Sequence, residues 1–226
     1  MKDITLSSAE LTGRVVISTN LAKHGKSKLD DKMLSYSGMS SPKIRHFLNN
    51  ICSFPITNYL EVGLATGSTM LSALWKNEHV ISYGADLWLE KKNDLTGEED
   101  FKKNYAEILG PMRTKLFSGD CFKMLEHPEF FDSKINVFLY DGGHSVEDHE
   151  MAFTYFEPIL AQNFILIIDD WNDDRVQRGT IQGFQKSNYK VIYEQFAPAK
   201  VGSTPPYWGD MNEWWNGMAM LVMEKK

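Results

Sequence analysis

Residues 59 to 69 read Tyr59-Leu60-Glu61-Val62-Gly63-Leu64-Ala65-Thr66-Gly67-Ser68-Thr69. An apolar run closes on an acid and a glycine, and a second glycine then opens a stretch of helical character. Glycine suits both positions because a Cβ would block a ligand from approaching the backbone, and the helix that follows offers it unpaired N–H groups. The stretch therefore reads as a strand, a ligand-binding turn and a helix, the repeating unit of a parallel α/β sheet. A tight strand-to-helix turn with no ligand gives the same pattern, so these residues speak more firmly about fold than about function.

On both sides of this stretch the period switches repeatedly between short β-branched or aromatic runs and longer helical stretches. Strands are expected at Asn58 to Gly63, Val80 to Asp86, Arg113 to Ser118, Ile135 to Tyr140, Phe164 to Asp169, Tyr189 to Phe196 and Gly217 to Glu224. Helices should fall between the first six. The last two are separated by a Pro-, Gly- and Trp-rich loop, Ala197 to Asn216, with too little helical pattern for a right-handed crossover. The expectation is a doubly wound α/β sheet of seven strands, mostly parallel, whose last strand is antiparallel to the sixth. Ser41-Pro42 starts a helix before the sheet, with Ile44, Phe47, Leu48 and Ile51 at helical spacing. Residues 1–40 are polar, carry the basic cluster Lys23, Lys26 and Lys28, and show no sustained period, so they read as an irregular arm or lid on a domain spanning 41–226.

Composition narrows the function classes. With 226 residues the chain suits one α/β domain and one active site. No apolar run approaches the roughly 18 residues of a membrane span, and the N-terminus lacks the basic start and apolar stretch of a secretory signal, so a cytoplasmic protein without membrane contact is expected. Cys52 and Cys121 form no C-x-x-C pair and read as reduced thiols. The formal charge of -6 argues against phosphate-backbone binding and thus against a nucleic-acid partner, leaving a small-molecule or glycan substrate. A homodimer built through the arm is compatible with all of this.

Asp86 ends the second strand at the spacing from Gly63 where an acid reaches the ribose hydroxyls of a bound nucleoside. Asp120 follows the third strand, where an aspartate is also a natural helix N-cap. The most specific segment is Leu139-Tyr140-Asp141-Gly142-Gly143-His144-Ser145, an apolar strand that delivers an acid and a histidine into a Gly-Gly turn. One strand later, Phe164-Ile165-Leu166-Ile167-Ile168 ends in Asp169-Asp170-Trp171. Acids at the carboxyl ends of parallel strands face the edge where open α/β sheets bind ligands. Asp141, Asp169 and Asp170 make a hard oxygen set suited to Mg²⁺, which would offset their mutual repulsion. Adjacent strand residues point to opposite faces, so Asp169 and Asp170 can share an ion only if the chain has turned there; otherwise one of them caps the helix starting near Asp173. Trp88 could stack on a nucleobase, and Tyr207, Trp208, Trp214 and Trp215 could wall a substrate site. Ordinary aromatic packing explains both sets equally well.

The pattern E-x-G-x-x-x-G-x-T resembles the first motif of class I S-adenosylmethionine-dependent methyltransferases, with Ala65 where many members have glycine. The resemblance implies cofactor contacts from Glu61, Gly63, Thr66, Gly67, Ser68, Thr69 and Asp86, and adenine contacts from Asp120 and Cys121. D-G-G-H-S together with I-I-D-D-W resembles the metal-dependent O-methyltransferases related to the macrolide sugar methyltransferases, from about Ser41 to Lys226 and including Trp214-Trp215-Asn216-Gly217. That resemblance implies Asp141, Asp169 and Asp170 as metal ligands and His144 as the base. Two other readings stay open. One is a binding module that kept the fold and lost activity. The other is a nicotinamide-dependent oxidoreductase or epimerase, although neither G-x-G-x-x-G nor Tyr-x-x-x-Lys is present.

Overall fold

The computed structural model describes residues 1–2, 5–88, 97–198 and 211–226. All seven expected strands form: β1 (Asn58–Val62), β2 (Ile81–Asp86), β3 (Lys115–Ser118), β4 (Ile135–Tyr140), β5 (Leu160–Ile168), β6 (Tyr189–Ala197) and β7 (Met218–Lys225). They make one sheet in the order β3-β2-β1-β4-β5-β7-β6. The first five pair in parallel, and β7 runs antiparallel to both β5 and β6, as a connection without a crossover helix requires. Every residue of β1 and β4 is buried, whereas edge strand β6 largely alternates between sheltered and exposed positions. That contrast is what two covered faces and one open edge demand.

Seven α-helices flank the sheet among the described residues: α1 (Ser8–Lys23), α2 (Asp31–Leu34), α3 (Pro42–Cys52), α4 (Ser68–Leu74), α5 (Gly97–Leu109), α6 (Val146–Tyr155) and α7 (Asp174–Lys186). Leu11 and Val15 of α1, Phe47 and Leu48 of α3, Met70 and Leu71 of α4, and Phe101 and Tyr105 of α5 share one core with one face of the sheet. Ala152 and Phe153 of α6 and Val176 of α7 fill the other. The helices therefore lie on both faces, which leaves the carboxyl ends of the parallel strands as the open edge.

Two expectations are corrected. The first 40 residues are not irregular: α1 is a 16-residue helix closed by a capping box in which Ser7 and Glu10 satisfy one another's backbone N–H groups. Such a cap is worth about 1 kcal/mol, and each fully buried Leu or Val adds roughly 1.5–3 kcal/mol. Leu11, Val15 and Ala22 are entirely inside, so this segment belongs to the domain core and is no separate arm. Between β3 and β4, no α-helix forms. Two 3₁₀ turns, Cys121–Glu126 and Pro128–Phe130, make the crossing, and Pro128 denies the ladder a backbone donor.

Candidate active site

The turn after β1 is held from several sides. Glu61 is fully buried and accepts hydrogen bonds from the hydroxyls of Tyr59, at 2.6 Å, and Thr69. Burial pushes its carboxyl up to about 7, against the pull of these hydroxyls and the Met70 N–H. Glu61 is thus sealed from the cleft and sets the turn from within, tying β1 to the first turn of α4. Gly63 has φ +92°, and a Cβ there would lie 1.8 Å from the Asp141 carbonyl oxygen. Gly67, at φ +97°, closes the turn with its Cα against the Phe101 ring. Ala65 adopts φ +45°, which accounts physically for glycine being common at that position.

Asp86 faces this turn from β2. Its Oδ2 accepts from the backbone N–H groups of Leu64 and Ala65, both at 2.8 Å, and its Oδ1 accepts from Trp88 N–H at 2.7 Å. The acid expected at a ribose here braces the turn. The Trp88 indole donates to the Ala65 carbonyl at 3.0 Å and packs on Phe101, which is the packing role. The Thr66 carbonyl accepts from Asn104, and the Ser68 hydroxyl lies 3.1 Å from that of Ser40. Asp120 caps the 3₁₀ turn after β3 by accepting from Phe122 N–H, beside the partly buried Cys121 thiol.

The second centre forms where β4 and β5 end. Their register sets Tyr140 opposite Ile168, so Asp141 and Asp169 leave the sheet side by side. Asp169 keeps its N–H on the Tyr140 carbonyl and stays with the strand, 6% exposed, with Oδ1 buried and unpartnered. At Asp170 the chain turns through φ +52°, a left-handed conformation that aspartate tolerates better than most residues. Its Oδ1 accepts from the Asn216 amide at 2.9 Å, and its Oδ2 lies 3.0 Å from His144 Nε2. His144 Nε2 is also 4.0 Å from Asp141 Oδ1. Ligand-type atoms of Asp141, His144 and Asp170 all lie within 4.8 Å of one another. Asp169 does not join that group, because the turn that releases Asp170 comes one residue after it. The helix that follows is capped by Asp173, not by either member of the pair.

Electrostatics make this cluster costly as it stands. Burial holds the Asp141 carboxyl well above the usual range, and the charge of Asp170 adds to it. Asp169 is likewise raised by burial, then by Asp141 and Asp170. No lysine or arginine pairs with these three acids among the described residues; His144 is their one basic neighbour. A hard oxygen set with an orphaned buried oxygen and no counter-charge fits a divalent cation.

Several neighbours of this edge were not legible as functional. Trp171 stacks on Phe196, with centroids 5.1 Å apart and planes at 4°, just past Asp170. Asn216 and Gly217 accept from the N–H groups of Asn172 and Trp171, so the segment before β7 holds the Asp170 turn. Trp214 is not a substrate wall: it is 4% exposed and packs edge-on against Phe47, while Trp215 is partly buried against the same core. Tyr207 and Trp208 lie outside the described residues.

No protein-family model and no curated protein matches the sequence. Solved structures do. An O-methyltransferase from Bacillus cereus, in complex with SAH, superposes with a TM-score of 0.60 at 12% identity, over 95% of this chain and 100% of that one. Precorrin-6y C5,15-methyltransferase from Geobacter metallireducens gives 0.59 at 9% identity, over 88% and 97%. TrmN from Thermus thermophilus gives 0.55 at 14%, over 86% of this chain but only 52% of its own length. The fold is that of the class I, Rossmann-like methyltransferases. At 9–14% identity the likeness to these neighbours is one of fold.

Proposed function

We propose that this protein is an S-adenosylmethionine-dependent methyltransferase that methylates a hydroxyl of a small molecule or glycan with the help of a divalent cation, Mg²⁺. The observation that carries the reading is the backbone contact between Gly63 and Asp141, which joins a cofactor-type turn to an acidic cluster containing a histidine.

Gly63, Gly67 and the backbone around Thr66 and Ser68 would receive the cofactor, with Glu61, Thr69 and Asp86 fixing the shape of that turn. Asp120 and Cys121 stand at the β3 end for the adenine. Asp141 and Asp170 would hold the cation, next to Asp169, whose buried Oδ1 has no hydrogen-bond partner. Bound there, the cofactor would supply an electrophilic methyl group and the cation a positive charge that lowers the pKa of an acceptor hydroxyl. His144, oriented by Asp170 at 3.0 Å and 43% open to solvent, is placed to take the hydroxyl proton. The protein's main contribution is orientation, since methyl transfer needs donor and acceptor in line at near contact. The negative net charge supports a small or glycan acceptor over a nucleic acid.

A second reading, a binding module without catalysis, is favoured by one observation. Backbone N–H groups already take three of the roughly four acceptor positions of the Asp86 carboxylate, two on Oδ2 and one on Oδ1, which leaves a ribose one position on Oδ1. Calorimetric titration of S-adenosylmethionine, S-adenosylhomocysteine and NAD, with and without Mg²⁺, tests the proposal. Binding of both adenosyl compounds but not NAD is expected. Absence of adenosyl binding would overturn it, and NAD binding alone would favour an oxidoreductase.

A further inference from the structure

Glu213 and Trp214 are neighbours in the chain, and both are seated on one face of α3. Lys43 Nζ donates to Glu213 Oε2 at 2.8 Å, and the two side chains are only 26% and 28% exposed. One helical turn further along, Phe47 meets the Trp214 ring edge-on, with centroids 6.2 Å apart. Residues four apart on a helix present their side chains in the same direction, so α3 takes hold of two consecutive residues at once.

Three residues beyond Glu213 the chain reaches the acidic cluster. The Gly217 N–H donates to the Trp214 carbonyl at 2.7 Å, which closes a tight turn with Trp215 at φ +52° and Gly217 at φ +88°. The far side of that turn meets the end of β5. There the Asn216 and Gly217 carbonyls accept from the N–H groups of Asn172 and Trp171 at 3.0 and 3.1 Å, and Asn216 Nδ2 donates to Asp170 Oδ1 at 2.9 Å. The fit is close, since a Cβ on Gly217 would lie 2.6 Å from Asn172 Oδ1.

A carboxylate beside a cation has two oxygens, and which one faces the ion depends on what holds the other. With Oδ1 of Asp170 engaged by the amide, Oδ2 is the oxygen drawn to His144 Nε2, at 3.0 Å, and Nε2 is in turn 4.0 Å from Asp141 Oδ1. An amide suits this duty because it donates without carrying charge; a lysine or arginine in its place would cancel the negative charge that attracts a divalent ion. Asp170 also holds φ +52°, a conformation that persists where neighbours over-determine it. The strap from Glu213 to Gly217 supplies those neighbours.

We propose that Asn216 is a positioning residue that aims Asp170 Oδ2 at the cation, and that the Lys43–Glu213 ion pair, with Trp214 on Phe47, holds Asn216 there from α3. The proposal rests on the cation reading above. A fully exposed ion pair would contribute little to this, but this one is mostly sheltered and closes a span whose other end is fixed in β7.

The test titrates Mg²⁺ by calorimetry into the full-length wild type, Asn216→Ala, Lys43→Glu, Glu213→Lys and the Lys43→Glu/Glu213→Lys double variant, with S-adenosylhomocysteine titrated in parallel in metal-free buffer. Asn216→Ala should weaken Mg²⁺ about tenfold or more and leave S-adenosylhomocysteine within about twofold. Each single charge reversal should weaken Mg²⁺ by about fivefold, and the double variant, which restores an ion pair, should return to within about twofold of wild type. Unchanged Mg²⁺ affinity in Asn216→Ala would overturn the proposal. So would equal losses of Mg²⁺ and S-adenosylhomocysteine, the mark of general damage to the fold, or a double variant no better than the single ones. Those results leave the cation reading intact. Wild type binding S-adenosylhomocysteine but no Mg²⁺ removes the cation reading and this proposal together.

Discussion

The backbone of Asp141 occupies the place where Gly63 would carry a side chain: a Cβ there would sit 1.8 Å from the Asp141 carbonyl oxygen. The turn assigned to the cofactor and the turn assigned to the metal are therefore packed backbone to backbone. Gly63→Ala would have to part β1 from β4 at their ends and also place alanine at φ +92°. A destabilisation of more than about 3 kcal/mol is expected, read as a lower denaturant midpoint, with adenosyl and Mg²⁺ binding lost together. Loss of one without the other would show that the two turns are mechanically independent.

Ala65 holds a left-handed conformation at φ +45° in an exposed position. A non-glycine residue spends roughly 1–2 kcal/mol there, while glycine gives back about 0.5–1 kcal/mol in unfolded-state entropy. Ala65→Gly should therefore stabilise the protein by up to about 1 kcal/mol, measured by thermal unfolding, without weakening adenosyl binding. A drop in melting temperature would contradict the strain.

Asp141→Asn and Asp170→Asn should each abolish Mg²⁺ binding in calorimetry. Both should also raise thermal stability in metal-free buffer, because each removes one of the crowded acids. His144→Ala separates two roles for the histidine. Retained Mg²⁺ affinity with methyl transfer down at least a hundredfold marks a base, whereas lost affinity marks a ligand.

His149, on the helix after this cluster, gives a pH signature set first by its burial and then by the nearby charge of His144. It is buried on α6 with Nε2 unpartnered and its ring edge-on to Tyr140. Burial lowers its pKa from 6.5 to about 4. The unfolded chain then binds a proton that the folded chain refuses between those values, so the contribution is intact above pH 6.5 and is lost as the pH falls toward 4. The full loss is about 3 kcal/mol. Urea denaturation at a series of pH values should show a shallower acid decline for His149→Gln; an unchanged slope would place the proton elsewhere.

The sheet was readable because each strand is a short apolar run closed by a turn signal, and β4 matched its expected ends at Ile135 and Tyr140. α1 was not, because its apolar residues are spread around the helix, with Leu11 and Val15 buried while Val16 and Ile17 face outward. Its Ser7-x-x-Glu10 capping box was the legible sign. In the site, the aspartates and His144 stood out because polar groups after apolar strands are hard to explain by packing. What could not be read was which aspartate faces the cleft, since that depends on one positive φ at Asp170. The burial of Arg45, 1% exposed and donating to the carbonyls of Met33, Leu34 and Tyr36, was hidden for a different reason: an arginine on a helix reads as solvated surface until the segment after α1 is folded over it.

The segment that holds the Asp170 turn leads into a strand made after both of its neighbours in the sheet. β7 lies between β5 and β6 in the sheet although it follows both in the chain. On a ribosome, β5 and β6 must emerge and wait, with an apolar strand edge uncovered, until residues 218–225 arrive to join them. Asn216 and Gly217 reach the Asp170 turn in the same event, so assembly of the acidic cluster is timed to closure of the sheet, and a nascent chain short of β7 carries the acids without their arrangement.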